Sequence, residues 1–278
     1  MLKTRLIPVV LMRNGVCVQS KGFRRYQRLG DPITIVERLS AWASDELCYL
    51  DISQQSGYDV GRDDLCGSNH DNVLAILQDI SRRCFMPLAF GGGIRTLQDV
   101  EKRLALGADK VVINTQALNE PSLIDEAARQ FGSQCITICI DARQALAAEA
   151  APAEGPQWFA FSDGGRCAAG RNAVAWAREA ADRGAGEILI QSIDQDGRGL
   201  GYDLKLIRAV VDAVRIPVIA LGGVGSWEHL AEGVAAGAAA VAAANIFNYT
   251  ENSVYNAKLG LVGKRLNFRA PRLAPHFI

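Results

Sequence analysis

The 278-residue sequence predicts an α/β fold, a single (β/α)8 TIM barrel assembled from two related halves. Three observations carry that prediction. Eight short apolar runs alternate with amphipathic helical stretches, the pattern of parallel α/β architecture. One stretch recurs at a constant offset of 130 positions. Glycine-rich turns follow the strands at matching places in both halves.

In chain order the predicted strands are Arg5–Val10, Leu47–Asp51, Pro87–Phe90, Lys110–Ile113, Cys135–Asp141, Glu187–Gln191, Pro217–Leu221 and Ala240–Ala243. Between them lie helical stripes such as Leu97, Val100, Leu104 and Trp227, Leu230, Val234, whose three-to-four spacing buries one face of an outer helix. The repeat pairs Pro87-Leu-Ala-Phe-Gly-Gly-Gly93 with Pro217-Val-Ile-Ala-Leu-Gly-Gly223, then Gly107-Ala108 with Gly237-Ala238, then Asn114-Thr115 with Ala244-Asn245. A constant offset across two strands and a helix marks an internal duplication. Barrels of this kind run to about 250 residues as one domain, so residues 1–278 are expected to form one. The tail at 263–278, with Arg265, Arg269 and Arg272 and no helical period, is expected to be a C-terminal arm.

Composition narrows the function. Thirty basic residues balance thirty acidic ones, which argues against general binding to nucleic acid or an anionic membrane. No apolar run reaches the roughly 20 residues of a membrane helix, and the N-terminus lacks the apolar core of a signal peptide. A cytoplasmic location follows, and the sequon Asn248-Tyr249-Thr250 is read as chance. Seven cysteines without a CxxC pair fit reduced thiols, with Cys135 and Cys139 facing one side of a strand. His70, His229 and His276 show no metal-ligand spacing, so no metal or cofactor is predicted.

Active sites of such barrels lie where the strands end. Gly92-Gly93 and Gly222-Gly223 let the backbone approach a ligand closely. Asn114-Thr115 and Ala244-Asn245 open short helices whose N-termini favour anions, and Asp196-Gly197 completes the second set. Two anion sites facing each other suit a phosphorylated small molecule, and the repeat of the pair favours this over glycines that serve tight turns alone. The offset of 130 also places Asp141 opposite Leu11. Asp141 ends an apolar strand, where a carboxylate is desolvated and can serve as general acid or base. Its mate Leu11 cannot carry a proton. Asp51 ends another strand at the mouth and is a second candidate carboxylate.

These residues resemble the cyclase subunit of imidazole glycerol phosphate synthase. The likeness runs from Arg5 to about Asn245, through Gly30-Asp31-Pro32, Tyr49-Leu50-Asp51, Gly91-Gly92-Gly93-Ile94, Gly107-Ala108-Asp109-Lys110 and Ser192-Ile193-Asp194-Gln195-Asp196-Gly197. The resemblance implies one phosphate site at Gly93, Asn114 and Thr115 and another at Asp196, Gly197, Gly223, Ala244 and Asn245. It implies two catalytic aspartates, which fall on Asp141 and Leu11, and a lysine that falls on Gln19. It also implies an ammonia gate at the strand starts, formed by Arg5, Glu46, Lys110 and Glu187, with a glutaminase subunit docked on that N-terminal face and Asp109 near its rim. Leucine at position 11 is similar to cyclase paralogues found with surface-polysaccharide (O-antigen) genes. Those are thought to pass ammonia to a sugar amidotransferase for amidination. The alternatives are a functional cyclase (lyase) of histidine biosynthesis, the sister isomerase of that pathway, and a metabolite-binding module. Residues 54–72 form a loop longer than the family's.

Overall fold

The structure, a computed structural model, describes residues 2–54, 57–58, 70–145, 157–249 and 253–272. In chain order the strands are β1 (Arg5–Arg13), β2 (Val16–Lys21), β3 (Arg25–Gly30), β4 (Leu47–Asp51), β5 (Leu88–Gly91), β6 (Lys110–Ile113), β7 (Ile136–Gln144), β8 (Trp158–Ser162), β9 (Cys167–Asn172), β10 (Glu187–Ser192), β11 (Val218–Leu221) and β12 (Ala240–Ala243). The helices are α1 (Pro32–Ala41), α2 (Val73–Ser81), α3 (Leu97–Ala105), α4 (Thr115–Asn119), α5 (Ser122–Phe131), α6 (Ala173–Asp182), α7 (Leu204–Ala213), α8 (Trp227–Ala235) and α9 (Val254–Gly263). β12, β1, β4, β5, β6, β7, β10 and β11 pair in parallel, each with the next, and β11 returns to β12 to close the barrel. All eight are strands that the sequence predicts. Three begin one residue late. Pro87 and Pro217 lack an N–H for the ladder, though their carbonyls accept from Leu47 N and Ile188 N at 2.9 and 3.0 Å. Cys135, expected on β7, instead ends a 3-10 turn in which its N–H donates to Gly132 O.

The duplication is written into the register. Ile7 pairs with Ala242 where β1 meets β12, and Thr137 pairs with Val112 where β7 meets β6, the same pair shifted by 130. β4 and β10 are related by 141 instead: Leu50 sits beside Leu11 as Gln191 sits beside Asp141. The difference arises because the segment holding β8 and β9 is longer than the one holding β2 and β3.

Alternate residues divide two cores, as strand geometry requires. Ile7, Val9, Cys48, Ala89, Val112, Cys139, Leu189, Ile219 and Ala242 fill the barrel. Leu6, Tyr49, Phe90, Val111, Ile138 and Val241 face outward beneath the helices. α3 and α8 begin where their stripes do; α3 carries a capping box in which Thr96 and Asp99 satisfy each other's backbone N–H.

The sequence reading missed two hairpins and α9. β2 pairs antiparallel with β1 and β3, and β8 with β7 and β9, so each half carries a hairpin above its first strand. Gly22 and Phe23 turn the first, Asp163 and Gly164 the second, all at positive φ. β3 and β9 are largely exposed and lack apolar alternation, so no periodicity announces them. The tail is packed as far as Phe268, which is buried and bridges Thr4, and Asn267 Nδ2 donates to Leu2 O. Residues 273–278, most of the 54–72 loop, Cys66 and His276 lie outside the described residues. Among the described residues no helix is long and apolar enough to cross a membrane.

Candidate functional site

At the mouth, the innermost positions divide into two arcs. Asn114, Asp141 and Gln191 follow β6, lie on β7 and lie on β10, and form a polar arc over adjacent strands. Their mates by duplication, Ala244, Leu11 and Leu50, form an apolar arc on the opposite side. The pairing at 11 and 141 is thus part of a wider difference between the halves.

Asp141 is buried beneath this mouth, at 5% exposure. Asn114 Nδ2 donates to its Oδ2 at 2.8 Å, and Cys139 Sγ lies 3.6 Å from Oδ1. Burial pushes its carboxyl up to about 7, against the pull of those two donors. A carboxyl in that range can take up and release a proton near neutral pH. Asp51 differs. Its Oδ1 accepts from Ser53 N and Oγ, at 2.9 and 2.5 Å, and its Oδ2 from Tyr58 OH at 2.8 Å. Burial raises its carboxyl too, but both oxygens are occupied and the side chain anchors the start of the long loop.

The two glycine turns lie on either side of the mouth. Gly92, Gly93, Asn114 and Thr115 line a cavity of about 360 Å³ that also contains Asp141, Tyr26, Arg13 and Arg166. Asp196, Gly197, Gly222, Gly223, Ala244 and Asn245 line a second, of about 230 Å³. Leu11 and Gln191 border both. Among the described residues the N–H groups of Gly93 and Gly223 have no protein acceptor and are free for a ligand. The short α4 and the 3-10 turn Asn245–Asn248 follow these loops.

Three of the predicted anion-site residues hold hairpins. Asp196 Oδ2 accepts from Ser20 Oγ at 2.7 Å and Phe23 N at 3.2 Å, and Asn245 Nδ2 donates to Ser20 O at 2.7 Å. In the other half Thr115, the duplication mate of Asn245, accepts from Asp163 N at 3.0 Å through Oγ1. Each hairpin is therefore tied to the anion loop of the neighbouring half. The tips meet as well, since the Phe23 ring lies against Gly165. Gln19 stays in the first hairpin and donates to Gln27 at 3.1 Å.

The floor is a closed ring of charge. Arg5 donates to Glu46 at 2.5 Å and to Glu187 at 2.6 Å; Lys110 donates to Glu46 at 3.1 Å and to Glu187 at 2.7 Å. Glu46 and Glu187 are duplication mates, whereas Arg5 and Lys110 correspond to Cys135 and Ala240. Burial works to lower the Arg5 guanidinium, and the two glutamates outweigh it and raise it. Above the ring is a cavity of about 10 Å³, room for one water-sized molecule, lined by Ile7, Val9, Ala89, Val112, Thr137 and Ile219. The Thr137 hydroxyl has no partner there. Asp109 accepts from Leu88 N at 2.8 Å on the same face.

Sequence reasoning passed over Gln191, which only the duplication shifted by 141 would expose, and Arg103, an ordinary cation in a helix until its burial is seen. Among the described residues no cluster of His, Cys, Asp and Glu could hold a metal ion. A family model described as "Histidine biosynthesis protein" matches residues 5–253. With its closed barrel, its duplicated halves and its paired glycine loops, the chain belongs to the histidine biosynthesis protein family of (β/α)8 barrels.

Proposed function

We propose that this chain accepts ammonia from a glutaminase subunit at its floor and conducts it through the barrel to the amidination of a sugar in surface-polysaccharide synthesis. One observation carries the reading: the apolar arc of Leu11, Leu50 and Ala244 faces the polar arc of Asp141, Gln191 and Asn114. Closing an imidazole ring by acid–base chemistry from both sides needs a proton carrier on each, and leucine cannot be one. The floor supports the ammonia half of the proposal. Arg5, Glu46, Lys110 and Glu187 form a ring that a small neutral molecule passes when one pair parts. The apolar lumen above favours ammonia over ammonium, whose desolvation would be prohibitive. Thr137 offers that passenger its one unpartnered hydroxyl.

In this reading Gly92, Gly93, Asn114 and Thr115, with Gly222, Gly223 and Ala244 opposite, retain anion sites for a phosphorylated small molecule. Asp196, Gly197 and Asn245 line the second site, and Asp196 and Asn245 also hold the hairpin whose Ser20, Phe23 and Tyr26 face the first. The protein works in the cytoplasm, with a glutaminase and a sugar amidotransferase as partners. A second reading, the histidine-pathway cyclase, rests on Asp141, whose carboxyl titrates near neutral pH.

Complementation of a strain lacking the cyclase separates the two. The proposal expects no growth without histidine from the native chain, and weak growth at most from Leu11→Asp. Robust growth from the native chain would sink it. Glutamine-dependent amidination in a reconstituted three-component system is the positive measurement, and Asp141→Asn is expected to leave it largely intact.

A further inference from the structure

Arg103 projects from α3 beneath the first glycine turn and is only 3% exposed. Its Nη2 donates to Gly92 O at 2.6 Å and its Nη1 to Asp99 O at 2.9 Å. Its Nε is buried and unpartnered. Both acceptors are neutral carbonyls, and among the described residues no carboxylate lies within ion-pair distance of it. The two nearest acids act on it through space only: Asp99 gives its Oδ2 to Arg95 N and to Thr96 at the exposed helix cap, and Asp51 gives its oxygens to Ser53 and Tyr58. A buried guanidinium with no carboxylate in contact is costly unless an anion answers it. The face left for that anion is the turn itself, since Nη2 would lie 3.4 Å from a β-carbon placed on Gly93. The opposite half has nothing comparable. The duplication mate of Arg103 is Gly233, and the Tyr202 ring fills the space beside it with its hydroxyl on Ala242 O at 2.8 Å. Arg198, the arginine of the second cavity, is exposed.

We propose that Arg103 is the positioning residue of the first anion site: its guanidinium turns the Gly92 carbonyl into the protein, leaves the Gly93 N–H facing the cavity, and supplies the charge that a phosphate or phosphate monoester answers. The inference rests on the anion-site reading above and adds an order to it. The first site, backed by a buried cation, binds phosphate more tightly than the second.

The test is titration of the full chain with inorganic phosphate, followed through the backbone amide resonances of Gly93 and Gly223. In the native protein Gly93 responds at lower phosphate concentration than Gly223. Arg103→Met weakens the Gly93 response about tenfold, the equivalent of one strong charge-assisted contact, and leaves Gly223 unchanged. Arg103→Lys, which keeps the charge, restores part of the loss. Arg103→Gln, which keeps a donor for the Gly92 carbonyl without the charge, does not. An unperturbed Gly223 resonance certifies the fold of each variant within the same spectrum. Native affinity at Gly93 in the Met and Gln variants would overturn the assignment to Arg103 alone. Silence of both loops in the native protein would overturn the anion-site reading, and this inference with it.

Discussion

Asp141 shows how burial sets the chemistry of one residue. Its carboxyl is held at about 7, whereas an exposed aspartate titrates at 3.8. Between those values the folded protein holds a proton that the unfolded chain has released. Stability therefore falls as pH rises through that window, by up to roughly 1.4 kcal/mol per unit, and levels off above it. Asp141→Asn removes the titration. Its melting temperature relative to the native protein is expected to climb between pH 4 and pH 8, measured by thermal denaturation across that range. A difference independent of pH would show that Asp141 is not buried as described. Leu11 is the complementary case, since its identity is plain in the sequence yet gains meaning only beside the residue it faces.

The hairpins belong to the scale of elements. β2 and β3 are held at the first cavity, which Ser20, Phe23 and Tyr26 line, by contacts of Ser20 and Phe23 with Asp196 and of Ser20 with Asn245. Ser20→Ala removes the donor of a buried hydrogen bond to a carboxylate, at a cost of about 1–3 kcal/mol. Hydrogen exchange at the Gly22 and Phe23 amides, both bonded to Asp196, is expected to accelerate at least severalfold, with the amides of β10 and β11 unaffected. Equal acceleration throughout would mean that the hairpin opens only with the barrel. Helices α3 and α8 were legible beforehand, because an outer helix must bury a stripe that recurs every three or four residues. The hairpins were not, because β3 and β9 owe their structure to neighbouring strands and show no apolar alternation.

At the scale of the whole molecule the floor couples distant segments, joining β1, β6 and β10 to Glu46, which immediately precedes β4. Each cation meets both glutamates, so loss of one acid leaves two half-buried cations sharing the other. Glu46→Ala is expected to destabilise the barrel by about 3 kcal/mol, read by denaturant unfolding. In the reconstituted system it should also uncouple glutamine hydrolysis from amidination. Destabilisation below about 0.5 kcal/mol would place the ring among surface ion pairs of little consequence.

The amino-acid sequence alone determined the barrel, its eight strands, its duplication and the pairing of Leu11 with Asp141. Apolar period and a constant offset are properties of the linear chain, and burying those apolar faces leaves few alternative folds. The tertiary structure decided what individual polar groups do. It closed Arg5, Glu46, Lys110 and Glu187 into one ring and gave Asp51 Ser53 and Tyr58 to hold. It also gave Asp196, Thr115 and Asn245 hairpins to hold, and left Arg103 buried with no carboxylate in contact among the described residues. The physical reason is that a polar side chain's role depends on its partners and its distance from water. Both are set by segments far away in the sequence.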